Sequence, residues 1–258
     1  MPQLISVIER QFSNVIERQL SSVIERRLLV NYRVDPEFAA RLLPFPLRPQ
    51  LVRDWAVAGI CLLRLGQLRP VGMPAALGVR SENAASRVAV EWDGPRGVET
   101  GVYLARRDTG SPLNALLGGR FFPGVHNLAH FDVDESETNL HVAYASRDGT
   151  TRAGVDAHVL EEFEGSVLFP DFAAASDFFR HGSTGFSESR DGHHLNGLEL
   201  YIHKWQVSPV HVDSIYSTFF GDQTRFPPGT ATLDCALLMR DLTATWSPAG
   251  FLHETAVC

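Results

Sequence analysis

Lysine is almost missing from this chain: of 23 basic residues only Lys204 is lysine, and the other 22 are arginines. A mechanism built on a lysine imine therefore has one nucleophile to draw on. Cysteine is scarce as well. Cys61, Cys235 and Cys258 are odd in number and widely spaced, with no C-x-x-C pair, which excludes zinc fingers and fits reduced thiols. No apolar run approaches the roughly 20 residues that a membrane-spanning helix needs. The segment from Met1 to Arg27 lacks the apolar core of a secretory signal. Those two absences predict a cytoplasmic protein with no membrane partner. A net charge of −7 without any dense basic run argues against nucleic acid. G-x-S-x-G, G-x-G-x-x-G, Walker A and H-E-x-x-H are also missing, and with them the common hydrolase, dinucleotide, phosphate-loop and zincin chemistries.

What remains is 258 residues, 44% hydrophobic, enough for one domain that encloses a cavity without disulfides or structural metal. The chain opens on an eight-residue repeat, Ser6 to Phe12, Asn14 to Leu20 and Ser22 to Leu28, each built around Val-Ile-Glu-Arg. Ile8, Phe12, Val15, Ile16, Leu20, Val23 and Ile24 recur three and four apart, which predicts an amphipathic helix. Successive copies drift by about 80° around such a helix, so it is expected to pack on the domain or on a second copy of the chain and not as a coiled coil. The expected division is residues 1–22 as the duplicated segment and 23–258 as a single domain.

Beyond the repeat, strand patterns dominate: Leu28–Val34, Trp55–Leu65, Arg87–Trp92, Val98–Ala105, Val125–Val133, Leu140–Ala145, Gly154–Leu160, Leu198–Trp205, Val210–Phe219 and Ala231–Arg240. Turns at Asp93 to Gly97 and at Arg147 to Gly149 imply antiparallel hairpins. Helices are few. Asp35 can cap one with Pro36 at its first position, and Asp171 and Gly182 bracket another. The fold class expected is α+β, an antiparallel barrel or sheet with helices outside.

Several segments resemble a known family. Arg27 to Asp35, followed by a short helix ending in Leu42-Leu43-Pro44, is similar to the opening of the acetoacetate decarboxylase superfamily. Arg80-Ser-Glu-Asn83, Arg87 to Trp92, Gly101 to Asp108, Gly118 to Gly124 and Ala236 to Asp241 resemble its branch numbered 2071 among the domains of unknown function. The resemblance spans about Val23 to Trp246 and implies a cone-like antiparallel β-barrel of acetoacetate-decarboxylase-like type, with peripheral helices and a central pocket. In that superfamily a lysine with its pKa lowered by a neighbouring lysine forms the imine. Leu113 and Asn114 stand where the pair is expected, so decarboxylation through an imine is not carried over. The superfamily's arginine falls near Glu25 to Arg27, and Glu82 is the counterpart offered for its pocket glutamate. Lys204 reads as a rim residue in a late strand.

Among the polar residues, Arg106, Arg107, Asp108 and Arg120 are the candidates for holding a small anionic metabolite, since two guanidinium forks suit a carboxylate or phosphate. Glu82 and Glu91 are the candidate acid or base, should the protein be a lyase- or hydratase-type enzyme. The competing reading is that these groups pair with one another to hold the barrel end. A third is a structural or interaction protein. His126, His130 and Asp132 share one face if Val125–Val133 is a strand, but the histidines then lie some 13 Å apart, too far to share an ion. No metal and no cofactor is expected.

Overall fold

The computed structural model describes residues 19–95, 97–117, 124–189 and 192–253. The first repeat copy, most of the second, Arg120 and Cys258 lie outside them.

The third repeat copy is a strand, not a helix. β1 (Leu20–Val34) alternates buried and half-buried residues from Leu20 to Arg27 before entering a fully buried stretch. An eight-residue repeat drifts around a helix but is an even multiple of the strand period of two, so each copy presents the same face. The expected helix from residue 20 onward is thereby corrected, because cross-strand pairing outweighs local periodicity. The next elements match their signals. Asp35 caps α1 (Pro36–Ala40), accepting a hydrogen bond from the Glu37 amide. Two short strands, β2 (Arg48–Pro49) and β3 (Leu51–Val52), lead into β4 (Trp55–Pro70), β5 (Val79–Gly94) and β6 (Gly97–Thr109). After α2 (Pro112–Leu117) come β7 (Asn127–Glu135), β8 (Asn139–Ser146) and β9 (Arg152–Val159). Asp171 caps α3 (Phe172–His181), and Gly182 ends it. β10 (Thr184–Glu188), β11 (His194–Ile202), β12 (Ser208–Ser217) and β13 (Ala231–His253) are the last of the described elements.

All thirteen strands among the described residues belong to one sheet whose pairings close on themselves. One circuit runs β1, β4, β5, β6, β10, β11, β13 and back to β1. A second leaves β6 through β7, β8, β9 and β12 and returns to β13. Most pairs are antiparallel, but β6 runs parallel to both β7 and β10, which corrects the wholly antiparallel expectation. Neither parallel partner follows β6 through a tight hairpin: α2 intervenes before β7, and β10 comes some eighty residues later.

The strands common to both circuits carry a hydrophobic core on each face. Leu28, Val30, Ile60, Leu62 and Val88 pack toward β8, β9 and β12. Leu29, Cys61, Leu65 and Leu237 pack toward Phe169 and Phe179 around α3 and toward Leu198 and Trp246. Burial on both sides explains why Leu28–Val30 and Ala56–Leu62 read as continuous apolar runs. The strands also approach closely: a Cβ at Gly59 would stand 2.3 Å from the Val30 carbonyl oxygen.

Candidate functional site

On the α3 side of the shared strands, the register lays three rows of side chains across β1, β4, β5 and β6. Arg27, Leu63, Asn83 and Thr109 form the first row, and Leu29, Cys61, Ala85 and Arg107 the second. Asn31, Gly59, Arg87 and Leu104 form the third. The small residues Gly59, Cys61 and Ala85 leave room in the middle, and arginines stand on three sides of it. A cavity of about 110 Å³ opens there, lined from all seven strands of the first circuit, with Arg27, Arg87 and Arg107 among walls that are mostly apolar.

A β-bulge decides which of two consecutive arginines reaches it. Ser86 pairs with Arg106, but Arg87 pairs with Leu104, so Ala105 is the extra residue of β6. Without it, strict alternation would align Arg106 with Val102 and Leu104. The bulge shifts the phase by one and places Arg107 on the cavity face. Arg106 turns the other way, with its Nε 3.1 Å from Asp108 Oδ2 and its Nη2 2.9 Å from Asp108 Oδ1 and 2.7 Å from Asp148 Oδ2.

The three cavity arginines have few partners of their own. Arg87 is 3% exposed; it donates to Asn31 Oδ1 and lies 5.0 Å from the Phe179 ring centroid, while its Nε has no hydrogen-bond partner among the described residues. Asn31 is fixed for that role because its Nδ2 donates to the Leu29 carbonyl and toward Cys235 Sγ. Arg107 is half-buried; its Nε donates to Ser187 Oγ at 2.9 Å, and its sealed Nη2 has no partner among the described residues. Among the described residues Arg27 reaches only Met239 Sδ, at 3.9 Å. Among the described residues none of the three forms an ion pair. Burial pulls the Arg87 guanidinium down to about 10, with the nearby Arg27 charge adding to the effect, and burial pulls Arg107 down to about 10. Both remain charged at neutral pH, about three units below those values.

The other candidates are placed as follows. Glu82 accepts from Arg26 and Arg64, and Glu91 accepts from Arg48 Nε at 2.8 Å; neither lines the cavity. Asp108 does line it, and burial pushes its carboxyl up against the opposing pull of Arg106. Asn114 lines the cavity and donates to Ser81 Oγ at 3.1 Å, whereas Leu113 is exposed. His126 also lines it, just before β7, but His130 and Asp132 are exposed on that strand. Among the described residues no group of three metal-binding side chains assembles. Lys204 sits exposed in the bend after β11 and is not part of the lining.

The sequence brought the superfamily's arginine only as near as Glu25 to Arg27, and it did not single out Arg87 or Asn31. A signal for Arg87 was available: a lone cation inside Ala84-Ala-Ser-Arg-Val-Ala-Val90, a run whose other residues are all small or apolar.

The sequence matches the DUF2071 family, described as an uncharacterised conserved protein, over residues 23–232. The chain belongs to the DUF2071 family. No curated protein matches this DUF2071 chain. Among solved structures it is similar to an acetoacetate decarboxylase-like enzyme from Sphingomonas wittichii RW1, with 13% identity, TM-score 0.57 and coverage of 93% of this chain and 94% of that one. It is similar to the acetoacetate decarboxylase of Legionella pneumophila, with 13% identity, TM-score 0.53 and coverage of 90% and 87%. The enduracididine biosynthesis enzyme MppR complexed with pyruvate is a third, with 12% identity, TM-score 0.51 and coverage of 92% and 90%. The DUF2071 chain therefore shares the acetoacetate decarboxylase-like fold. Among its described residues no helix is long and apolar enough to cross a membrane.

Arg106 is held by a turn whose pH dependence is predictable. Hydrogen bonds from Ser146 and Thr150, together with Arg106, hold the Asp148 carboxyl well below the usual carboxylate range. A depressed carboxyl stabilises the fold above its unfolded pKa, near 3.9, and loses that contribution as pH falls through the folded value. Asp148→Asn should therefore lower the urea midpoint at pH 6, with the gap to the parent closing progressively below about pH 4. A gap that is constant with pH would mean that the carboxylate charge is not what holds the turn.

Proposed function

We propose that the first strand circuit works as a small barrel around a ligand, binding a small organic acid whose carboxylate lies between Arg87 and Arg107. The observation that carries this reading is the pair of cavity guanidiniums with free N–H donors and no ion pair among the described residues, set in mostly apolar walls. A charge in such surroundings is costly unless an opposite charge meets it, and a planar fork suits a carboxylate. Arg106 and Asp108 then support β6, and Asn31 and Phe179 orient Arg87. MppR, which shares the fold, is complexed with pyruvate, a small carboxylate, which supports a ligand of this class. The chemistry needs no Schiff base, since the one lysine stands exposed outside the lining. Among the described lining residues, Asp108, His126 and Cys61 carry the side chains suited to acid, base or nucleophile work in any turnover.

Thermal-shift measurements across a panel of small carboxylates test this. At about 100 times Kd a ligand stabilises by about 2.7 kcal/mol, a shift of several degrees. Arg107→Met should abolish the shift, and Arg106→Met should keep it. A shift lost with Arg106 and kept without Arg107 would reverse the assignment.

A further inference from the structure

We infer that the ligand is a short dianion: a chain of three or four carbons with a negative group at each end, one held by Arg87 and Arg107 and the other by Arg27 at the mouth. This deepens the carboxylate-binding reading and rests on it.

Three observations lead there. The first is charge. The cavity gathers three guanidiniums, and among the described residues no ion pair offsets any of them; Asp108, the one carboxylate residue in the lining, is engaged by Arg106. A monoanion would answer one of three positive charges. Two negative groups leave the site far closer to neutral, and unmet charge in an apolar enclosure is what such a site must avoid.

The second is position. Arg87 and Arg107 lie on adjacent strands one row apart, with Cα atoms roughly 8 Å from each other by strand spacing and rise. Their side chains can therefore converge on one carboxylate. Arg27 is two strands from Arg87 and two rows along, so its guanidinium meets a different part of the same ligand. Arg27 also lines a second hollow of about 380 Å³, which shares Ser183 and Leu200 with the first and is bordered by the exposed Tyr201. Arg27 thus stands where the cavity meets the outer groove.

The third is size. An engineered apolar cavity of about 150 Å³ holds benzene, six heavy atoms. About 110 Å³ accommodates a carboxylate and a short methylene spacer, and the far end then emerges at Arg27. Leu63, Leu104, Leu198 and Leu200 offer that spacer an apolar wall.

Calorimetric titration with malonate, succinate, succinamate and butyrate on the full chain decides it. Succinamate has the shape of succinate with one charge fewer. Succinate or malonate should bind at least about 10-fold more tightly than succinamate, the worth of one charge-assisted contact. Arg27→Met should erase that preference, weakening succinate far more than succinamate or butyrate, and Arg27→Lys should restore part of it. Equal binding of succinate and succinamate overturns the dianion while leaving the carboxylate site standing, and a preference that survives Arg27→Met overturns the placing of the second negative group at Arg27. If none of the four binds, the carboxylate reading itself fails, and the dianion with it.

Discussion

Replacing Arg87 by methionine should raise the melting temperature of the ligand-free protein and abolish its response to carboxylates. The buried charge is costly. A guanidinium pulled from 12.5 to about 10 by burial is disfavoured in its charged form, on the order of 3 kcal/mol at 1.36 kcal/mol per unit. Methionine fills a similar volume without that cost, and its sulfur makes a favourable contact with a ring such as that of Phe179. Against this, Asn31 Oδ1 loses its donor, an unmet acceptor worth about 1–3 kcal/mol. Replacing buried ionic groups by apolar ones of similar volume is often stabilising, and a net gain of about 1–2 kcal/mol corresponds to a rise of roughly 2–8 °C. Differential scanning calorimetry with and without the best-binding carboxylate reads both halves. A melting temperature well below that of the parent would mark Arg87 as a structural cation, and the anion site would lose its centre.

How far the sequence foretold this arrangement depends on the range over which each signal acts. The ten strands expected from apolar patterning all fall on observed strands, and Asp35 and Asp171 cap helices as their positions imply. These signals are local. β10 escaped notice because Thr184–Glu188 is short and carries two small residues, Gly185 and Ser187; its place is fixed by pairing with β11, the next strand, and with β6, far away in the chain. The repeat misled for a related reason. Spacings of three and four in Leu20, Val23 and Ile24 fit a helix, while the even period of eight fits a strand, and the pairings with β4 and β13 decide. The candidate site shows the same limit. Arg107 was legible as a cation ending an apolar strand. That it faces the cavity, and Arg106 does not, depends on one extra residue at Ala105, which no pattern in Leu104-Ala-Arg-Arg107 announces.

Two consecutive arginine pairs divide their work in the same way, and the second yields the other large prediction: Glu82→Gln should destabilise the fold severely without weakening carboxylate binding. In β1, Arg27 faces the cavity and Arg26 the opposite side, where it is wholly buried. Its Nη2 lies 2.5 Å from Glu82 Oε2 and its Nη1 3.4 Å from Glu135 Oε2; Arg64 bridges the same two carboxylates, and Arg240 Nη1 stands 3.8 Å from Glu135. Arg240, Arg26, Arg64 and Glu82 are register neighbours across β13, β1, β4 and β5, and Glu135 adds β7. The cluster therefore ties strands of both circuits together. Removing one partner from such a buried network leaves charge uncompensated, at a cost of about 3–5 kcal/mol. Glu82→Gln keeps the shape and removes a charge that two arginines share, so urea unfolding should show a loss of that order. Titration with the carboxylate that binds the parent should give the same affinity, measured at a temperature where the variant is folded. A stable Glu82→Gln protein that has lost ligand binding or turnover would instead give Glu82 the acid–base role suggested by its sequence position, and the cluster would be the site.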